Sequence, residues 1–442
     1  MRSSPIFPVS LGGTAVEAMV ALTSTPAASF EIQHVKSSRG IRAWLVETPV
    51  LPIIALHLAF RDAGSIADPA ERQGLAAFGA QMLTEGAGEL DASAYQERLS
   101  ELGATLSFAA SRDILLGRLE AVCDDREQTF ELLCLALTRP RFDAEAIERV
   151  RRSRLAELAR RSTDTTYVAR RAWWQGVFPN HPYGRDPEGT EADTVAITAD
   201  DLHVAFMRRI SKENLIVSAA GAISTVELGE ALDRVFGDLP DQSMTPAVSA
   251  AVFVPTDPLL VRLPFPQSSC VFGHIGVRPT SPDYIAAIVL NHIVGGGALT
   301  SRLFVELREK RGLVYSVHTR LEPLSDESLI VGSFATENDK VPTAIELVRR
   351  EWHRLASGDV TEADVDAAKA FLKGALPLSL DGTSTMAGRL LAVQRLGLDA
   401  EHLTAWNAKI DAVTVEMVRA LARRLMGPDA LTFAIAGDPT GL

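Results

Sequence analysis

Residues 300–317 read Thr-Ser-Arg-Leu-Phe-Val-Glu-Leu-Arg-Glu-Lys-Arg-Gly-Leu-Val-Tyr-Ser-Val, the stretch of this chain richest in groups able to do chemistry. Leu303, Phe304 and Leu307 recur at helical spacing, Thr300 or Ser301 can cap the start, and Arg308, Lys310 and Arg311 precede a stop at Gly312. Tyr315 is then expected to open a strand. An arginine closing a helix and a tyrosine just beyond it can converge on one cleft. There a fixed cation and a neutral hydroxyl donor would suit an oxyanion or a substrate carbonyl. The same spacing also fits a dipole-compensating arginine and a core-edge tyrosine, and spacing alone leaves both readings open.

Other chemistries fail on residue type. The nine histidines are scattered, the closest two being His274 and His292, so no single helix offers two imidazoles one turn apart to grip a metal ion. No Gly-x-Ser-x-Gly elbow is present. Gly295, Gly296 and Gly297 are followed by Ala-Leu-Thr-Ser and not by the lysine of a phosphate loop. They read either as a turn before the helix or as a place where a peptide can approach the backbone closely. Cys123, Cys134 and Cys270 form no Cys-x-x-Cys pair and read as buried thiols.

The elements that must position these groups are legible from periodicity. Residues 32–59 read as two strands around a turn at 49–52, residues 74–86 as a helix ended by glycines, 92–102 as a second helix and 106–122 as paired strands. Residues 241–258, with Pro246, Pro255 and Pro258, read as a linker. On either side of it the chain repeats itself without a gap. Ala196, Ile197, Thr198, Leu202, Arg208, Leu215, Ala220 and Gly221 match Ala412, Val413, Thr414, Val418, Arg424, Leu431, Ala436 and Gly437 at a constant offset of 216 residues, as from 198 to 414. Each copy is a Thr-capped helix followed by a short apolar strand ending in glycine. The expected fold is therefore α+β, with two homologous α/β domains, residues 30–240 and 259–442, each a mostly antiparallel sheet flanked by helices.

With 442 residues, 47% apolar and 23% charged, the chain is long enough to bury a substantial core. Its 56 acidic against 44 basic residues, a formal charge of −12, disfavour nucleic acid and anionic lipid as partners. No apolar run is long enough for a membrane span. Residues 1–29 read as a leader or a disordered N-terminus. The small residues at 25–29 suit a cleavage region although Glu17 interrupts the apolar stretch, which makes the periplasm the expected location and the cytoplasm the alternative.

The string from Gly295 to Val317 closely resembles the C-terminal signature of the insulinase/pitrilysin family of zinc metallopeptidases. His181-Pro182-Tyr183-Gly184, the Phe142-Asp143 start of a helix ending near Glu157, and the duplicated halves also resemble that family, over about residues 30–442. The resemblance places the family's His-x-x-Glu-His zinc motif after Gly74-Leu75-Ala76. This chain instead reads Ala77-Phe78-Gly79-Ala80-Gln81, with Ala77 and Gln81 at the ligand positions and Ala80 at that of the base. Glu157 falls where the third ligand would, and Val150 replaces a supporting glutamate. One carboxylate cannot hold a catalytic zinc, and Glu157 reads as a solvated residue among Arg151, Arg152, Arg154 and Arg160.

Where the family's halves are separate subunits, a zinc-bearing chain pairs with a zinc-less one that keeps an arginine and a tyrosine seven residues apart. Arg308 and Tyr315 match that pair. The resemblance thus implies a chain with no metal of its own. Its expected partner is a homologous His-x-x-Glu-His subunit carrying zinc, and the heterodimer would act on peptides. A purely structural subunit of the same family is the alternative.

Overall fold

In the strand Ile53–Arg61, Ile54, Leu56, Leu58 and Phe60 point to one side and Ala55, His57 and Ala59 to the other, and all seven are buried. Period-two alternation with both faces buried demands a cover on each side of the sheet. The computed structural model describes residues 30–325, 327–427 and 429–442, and the expected leader, residues 1–29, lies outside them.

This strand is central in a six-stranded sheet, ordered Gln33–Lys36, Arg42–Glu47, Leu215–Gly221, Ile53–Arg61, Ile114–Val122, Thr105–Ala110. Neighbours are antiparallel except Arg42–Glu47 with Leu215–Gly221. A five-stranded sheet repeats the plan in the order Val317–Pro323, Ser328–Glu337, Gln267–Ile275, Thr432–Gly437, Leu259–Arg262, with only the last pair parallel. The fold is α+β with two related domains, as expected. Residues 32–61 make three strands where two were expected, because the chain turns between Ser37 and Ile41, whose backbone groups bond to each other at 2.9 Å.

The duplicated unit is visible in detail. Thr198 accepts a hydrogen bond from the Asp201 N–H, and Thr414 from the Met417 N–H, at the starts of helices Ala199–Arg209 and Val415–Leu425. The strands that follow end at Gly221 and Gly437, with φ of 118° and 151°. A Cβ there would lie 2.1 Å from the Ile53 carbonyl oxygen and 2.2 Å from Ser268 Oγ, which accounts for glycine in both copies.

Each half covers one face of its own sheet and borrows a helix for the other. In the first half Ile54, Leu56, Leu58 and Phe60 pack on Phe78, Tyr95, Phe130 and Leu202. The opposite face, carrying Ala55, His57, Ala59 and Ser218, receives helix Thr383–Arg395 from the second half. The Ser218 hydroxyl donates to the Ala387 carbonyl at 2.8 Å, His57 Nε2 lies 3.1 Å from Ser384 Oγ, and Ala59 and Ile216 meet Leu391. Reciprocally, helix Thr165–Val177 of the first half lays Trp173, Trp174 and Val177 on Val271, Val331 and Ala434 of the second sheet, and the Trp173 indole N–H donates to the Thr432 carbonyl at 3.1 Å. Neither half closes its core alone, and residues 32–442 form one compact unit.

The segment expected as a linker has no regular secondary structure but is strapped along the borrowed helix. Val254 N–H donates to the Val177 carbonyl at 2.9 Å, and Thr256 N–H to Thr432 Oγ1 at 3.2 Å. Among the described residues no helix is long and apolar enough to cross a membrane.

Candidate functional site

Residues 302–309 form a single helical turn, Arg302–Phe304, that widens into the π-helical segment Val305–Glu309, rather than the regular helix expected from sequence. Such π-segments cluster at functional sites because they re-aim side chains. Arg302 anchors the start through Asp364 at 2.7 Å, at the N-terminus of helix Glu362–Leu378. Gly312 ends the segment, its N–H donating to the Arg308 carbonyl at 2.9 Å. Tyr315 does not open the next strand. It sits in a bend two residues before Val317–Pro323, the edge strand of the second sheet.

Glu306 decides what the basic residues do. Its buried carboxylate accepts from Arg311 at 2.6 Å and pairs with Lys310, and these cations hold its pKa below the ordinary glutamate value against the opposing effect of burial. The Arg308 side chain is left out of this cluster and makes no hydrogen bond or ion pair with the described residues. Its guanidinium carbon lies 5.6 Å from the centre of the Tyr315 ring, within cation–π range, and Tyr315 is 85% exposed. The two residues therefore meet and face solvent together. Tyr315 is not a core-edge residue, and Arg308 is the basic residue in the last turn of the segment.

The glycines are not a free turn. Gly295 and Gly296 belong to a second π-helical segment, His292–Gly296, that continues helix Tyr284–Asn291. A Cβ on Gly295 would lie 2.6–2.8 Å from Thr319, backbone nitrogen included, on the strand that follows Tyr315. Gly297 is also buried, and Gly296 is exposed. Gly295→Ala is expected to destabilise the protein by about 1–3 kcal/mol through overpacking, measured by urea denaturation. Gly296→Ala meets chiefly the movable Asn291 amide and should cost less.

On helix Leu75–Met82, Ala77 and Ala80 are buried methyl groups and Gln81 is exposed. Asp68 receives the Ala76 N–H at 3.0 Å and pairs with Arg209 at 2.7 Å, while burial pushes its carboxyl up to about 6. Glu157 lies on helix Ala144–Arg161, where Arg160 and Arg161 grip its carboxylate at 2.7 and 2.6 Å and hold its pKa down to about 2. Of the four arginines expected around it only Arg160 touches it. Arg154 is instead buried against Glu188 and over the Phe78 ring. Two methyl groups, an exposed amide and a carboxylate already held by two cations do not fit a zinc ion. Among the described residues no group of three His, Cys, Asp or Glu could hold a metal.

Residues 52–190 match the family described as Insulinase (Peptidase family M16), and residues 196–372 match the Peptidase M16 inactive domain. The chain is a homologue of the M16 peptidases. This M16 homologue is 26% identical over 396 residues to the Non-peptidase homolog YmxG of Helicobacter pylori, covering 89% of this chain and 90% of that protein. It is 24% identical to the Mitochondrial-processing peptidase subunit beta of Saccharomyces cerevisiae over 74% of each chain. Its fold is shared with the crystal structure of a peptidase M16 inactive domain from Pseudomonas fluorescens, with a TM-score of 0.87 at 24% identity, over 93% of this chain and 99% of that one.

In this M16 homologue the His181–Gly184 motif is structural. His181 Nδ1 accepts the Tyr183 N–H at 3.1 Å, and the Tyr183 hydroxyl donates to Asp113 at 2.6 Å while accepting the Ser325 N–H at 3.2 Å, which ties the two halves together. Sequence reasoning missed Glu306, although its spacing of four from Lys310 on one helical face was there to be read.

Proposed function

We propose that this chain is the zinc-less subunit of a heterodimeric M16-type peptidase, inactive alone. It would lend Arg308 and Tyr315 to the active site of a His-x-x-Glu-His partner. The observation that carries this reading is the solvent-facing Arg308–Tyr315 pair, unengaged by its own fold, in a chain whose zinc-motif positions hold two alanines and a glutamine. Metal chemistry belongs wholly to the partner. Here the Tyr315 hydroxyl donates to the oxyanion that develops on the scissile carbonyl, and the Arg308 guanidinium over the ring fixes the tyrosine's position. Gly296 is the glycine of its triplet open to a substrate backbone.

A second reading, a structural subunit with no part in proteolysis, is favoured by the name of one relative, a non-peptidase homolog. Affinity capture of the chain from its own cells, with mass spectrometry and zinc analysis, separates the two. The proposed role requires a stoichiometric companion bearing His-x-x-Glu-His and about one zinc per pair. Recovery of the chain alone, or in an assembly lacking that motif, would establish the structural reading.

A further inference from the structure

Away from Arg308 and Tyr315, five arginines line one small pocket of about 120 Å³, against two carboxylates, on a protein whose formal charge is −12. Both carboxylates are occupied. Asp186 accepts the Tyr167 hydroxyl and the Glu188 N–H, the latter at 3.1 Å, and Glu188 pairs with Arg161 at 3.1 Å and with Arg154 at 3.5 Å. Among the arginines, Arg161 is satisfied by Glu157 and Glu188, and Arg185 donates to the Asp68 carbonyl at 2.9 Å.

The remaining three have no carboxylate in contact. The Arg112 guanidinium lies over the Trp174 indole, 3.7 Å from its centre, and its Nε–H donates to the Tyr183 carbonyl at 3.2 Å. Its two terminal nitrogens make no hydrogen bond to the described residues, which leaves the fork edge that matches a carboxylate. Asp113, Asp186 and Glu322 act on Arg112 only at a distance. The Arg170 and Arg171 side chains are exposed and make no hydrogen bond or ion pair with the described residues. A half-buried guanidinium with no carboxylate in contact, beside two solvent-facing ones, offers a place for an anion.

The surroundings distinguish what kind of anion. Arg171, Arg185 and Asp186 also line an adjoining cleft of about 500 Å³ whose other groups include the amides of Gln73, Gln175 and Asn180 and the Thr190 hydroxyl. A cationic end too small for more than one oxyanion, opening into a wider cleft of neutral donors and acceptors, matches a peptide. Its carboxylate would sit on Arg112 and its amides would lie along the cleft.

We propose that this pocket binds the carboxylate of a peptide, either its free C-terminus or an acidic side chain near it. The proposal does not depend on the heterodimer, and its test needs neither partner nor turnover, so the two can fail separately. The probe is a dye-labelled hexapeptide ending in two glutamates with a free C-terminus, titrated by fluorescence polarisation against the whole chain. Amidating the C-terminus and replacing the glutamates by glutamine, separately and together, tells the two sources of carboxylate apart.

The fully neutral peptide is expected to bind at least about tenfold more weakly, and so is the acidic peptide to the double variant Arg170→Gln/Arg171→Gln, whose exposed positions leave the fold intact. Raising salt from about 50 to about 300 mM should weaken binding further. Arg112→Lys keeps the charge and loses the fork, and is expected to weaken binding to a similar degree. Equal binding of neutral and acidic peptides, an unchanged affinity in the double variant, or tighter binding of inorganic phosphate than of the peptide would each overturn the assignment.

Discussion

Tyr315→Phe, in this chain paired with the zinc-bearing partner proposed for it, is expected to lower the kcat of peptide cleavage by about 100-fold or more. Removing one preorganised oxyanion donor raises a barrier by about 2.7–4 kcal/mol, and the phenylalanine ring keeps everything else. Because the donor acts on charge that develops during reaction, KM should change little. Arg308→Ala removes a cation that steadies the ring and not the donor itself. A cation–π contact of about 0.5–2 kcal/mol corresponds to a loss of roughly 2- to 30-fold. Both side chains face solvent and neither is bonded to the rest of the chain through its polar atoms, so the melting temperature and assembly of the pair should be unchanged. Steady-state kinetics on a fluorogenic peptide, beside size-exclusion chromatography of the pair, checks both variants. Full turnover by Tyr315→Phe would remove this chain from the chemistry and leave it a structural role.

The second large effect concerns acid. His274 is buried between the second sheet and helix Val341–Ala356, where its Nδ1 faces the Ile275 carbonyl at 2.6 Å and its Nε2 accepts the Trp352 indole N–H at 2.9 Å. The indole is a donor only, so a proton on Nε2 would set two donors against each other. Burial accordingly lowers the pKa of His274 to about 4, and does the same to His57 at the seam with the borrowed helix. Above about pH 6.5 both folded and unfolded imidazoles are neutral and nothing is lost. Between 6.5 and 4 the unfolded chain takes up protons that the folded one refuses, so stability falls as pH falls, by up to about 3 kcal/mol for each histidine.

Asp68 and Asp113 run the other way. Burial lifts both to about 6, so the folded state takes up protons before the unfolded one does and gains stability over part of the same range. The wild type alone therefore mixes the two signs. Urea denaturation of His274→Gln beside the wild type isolates one of them. The variant should be less stable at pH 7, and its deficit should shrink by about 3 kcal/mol by pH 4. A deficit that stays constant with pH would mean that His274 does not titrate in this way.

What could be read from sequence was what is encoded locally. Thr198 and Thr414 cap their helices as expected, helix Ala92–Glu101 starts where Asp91 can receive the Ala94 N–H, and the alternating residues after position 105 pair as strands. The exchange of helices Thr165–Val177 and Thr383–Arg395 was not legible, because periodicity identifies a buried face without naming what buries it. Nothing local to Trp173 and Trp174 says that their contact is made with the other half. At the site, the types and spacing of Arg308 and Tyr315 were readable. That Arg308 is the spare cation could be seen only once Glu306 was found holding Lys310 and Arg311.

The reciprocal loan of helices also sets an order in time. During synthesis the first sheet has all six of its strands once residue 221 is made, but the face bearing Ala55, His57 and Ala59 waits for helix Thr383–Arg395, some 160 residues later. At roughly 5–20 residues per second that is an interval of about 8–30 s in which an apolar surface stands bare at the ribosome, a surface that a chaperone or a second nascent chain could occupy before its own helix arrives.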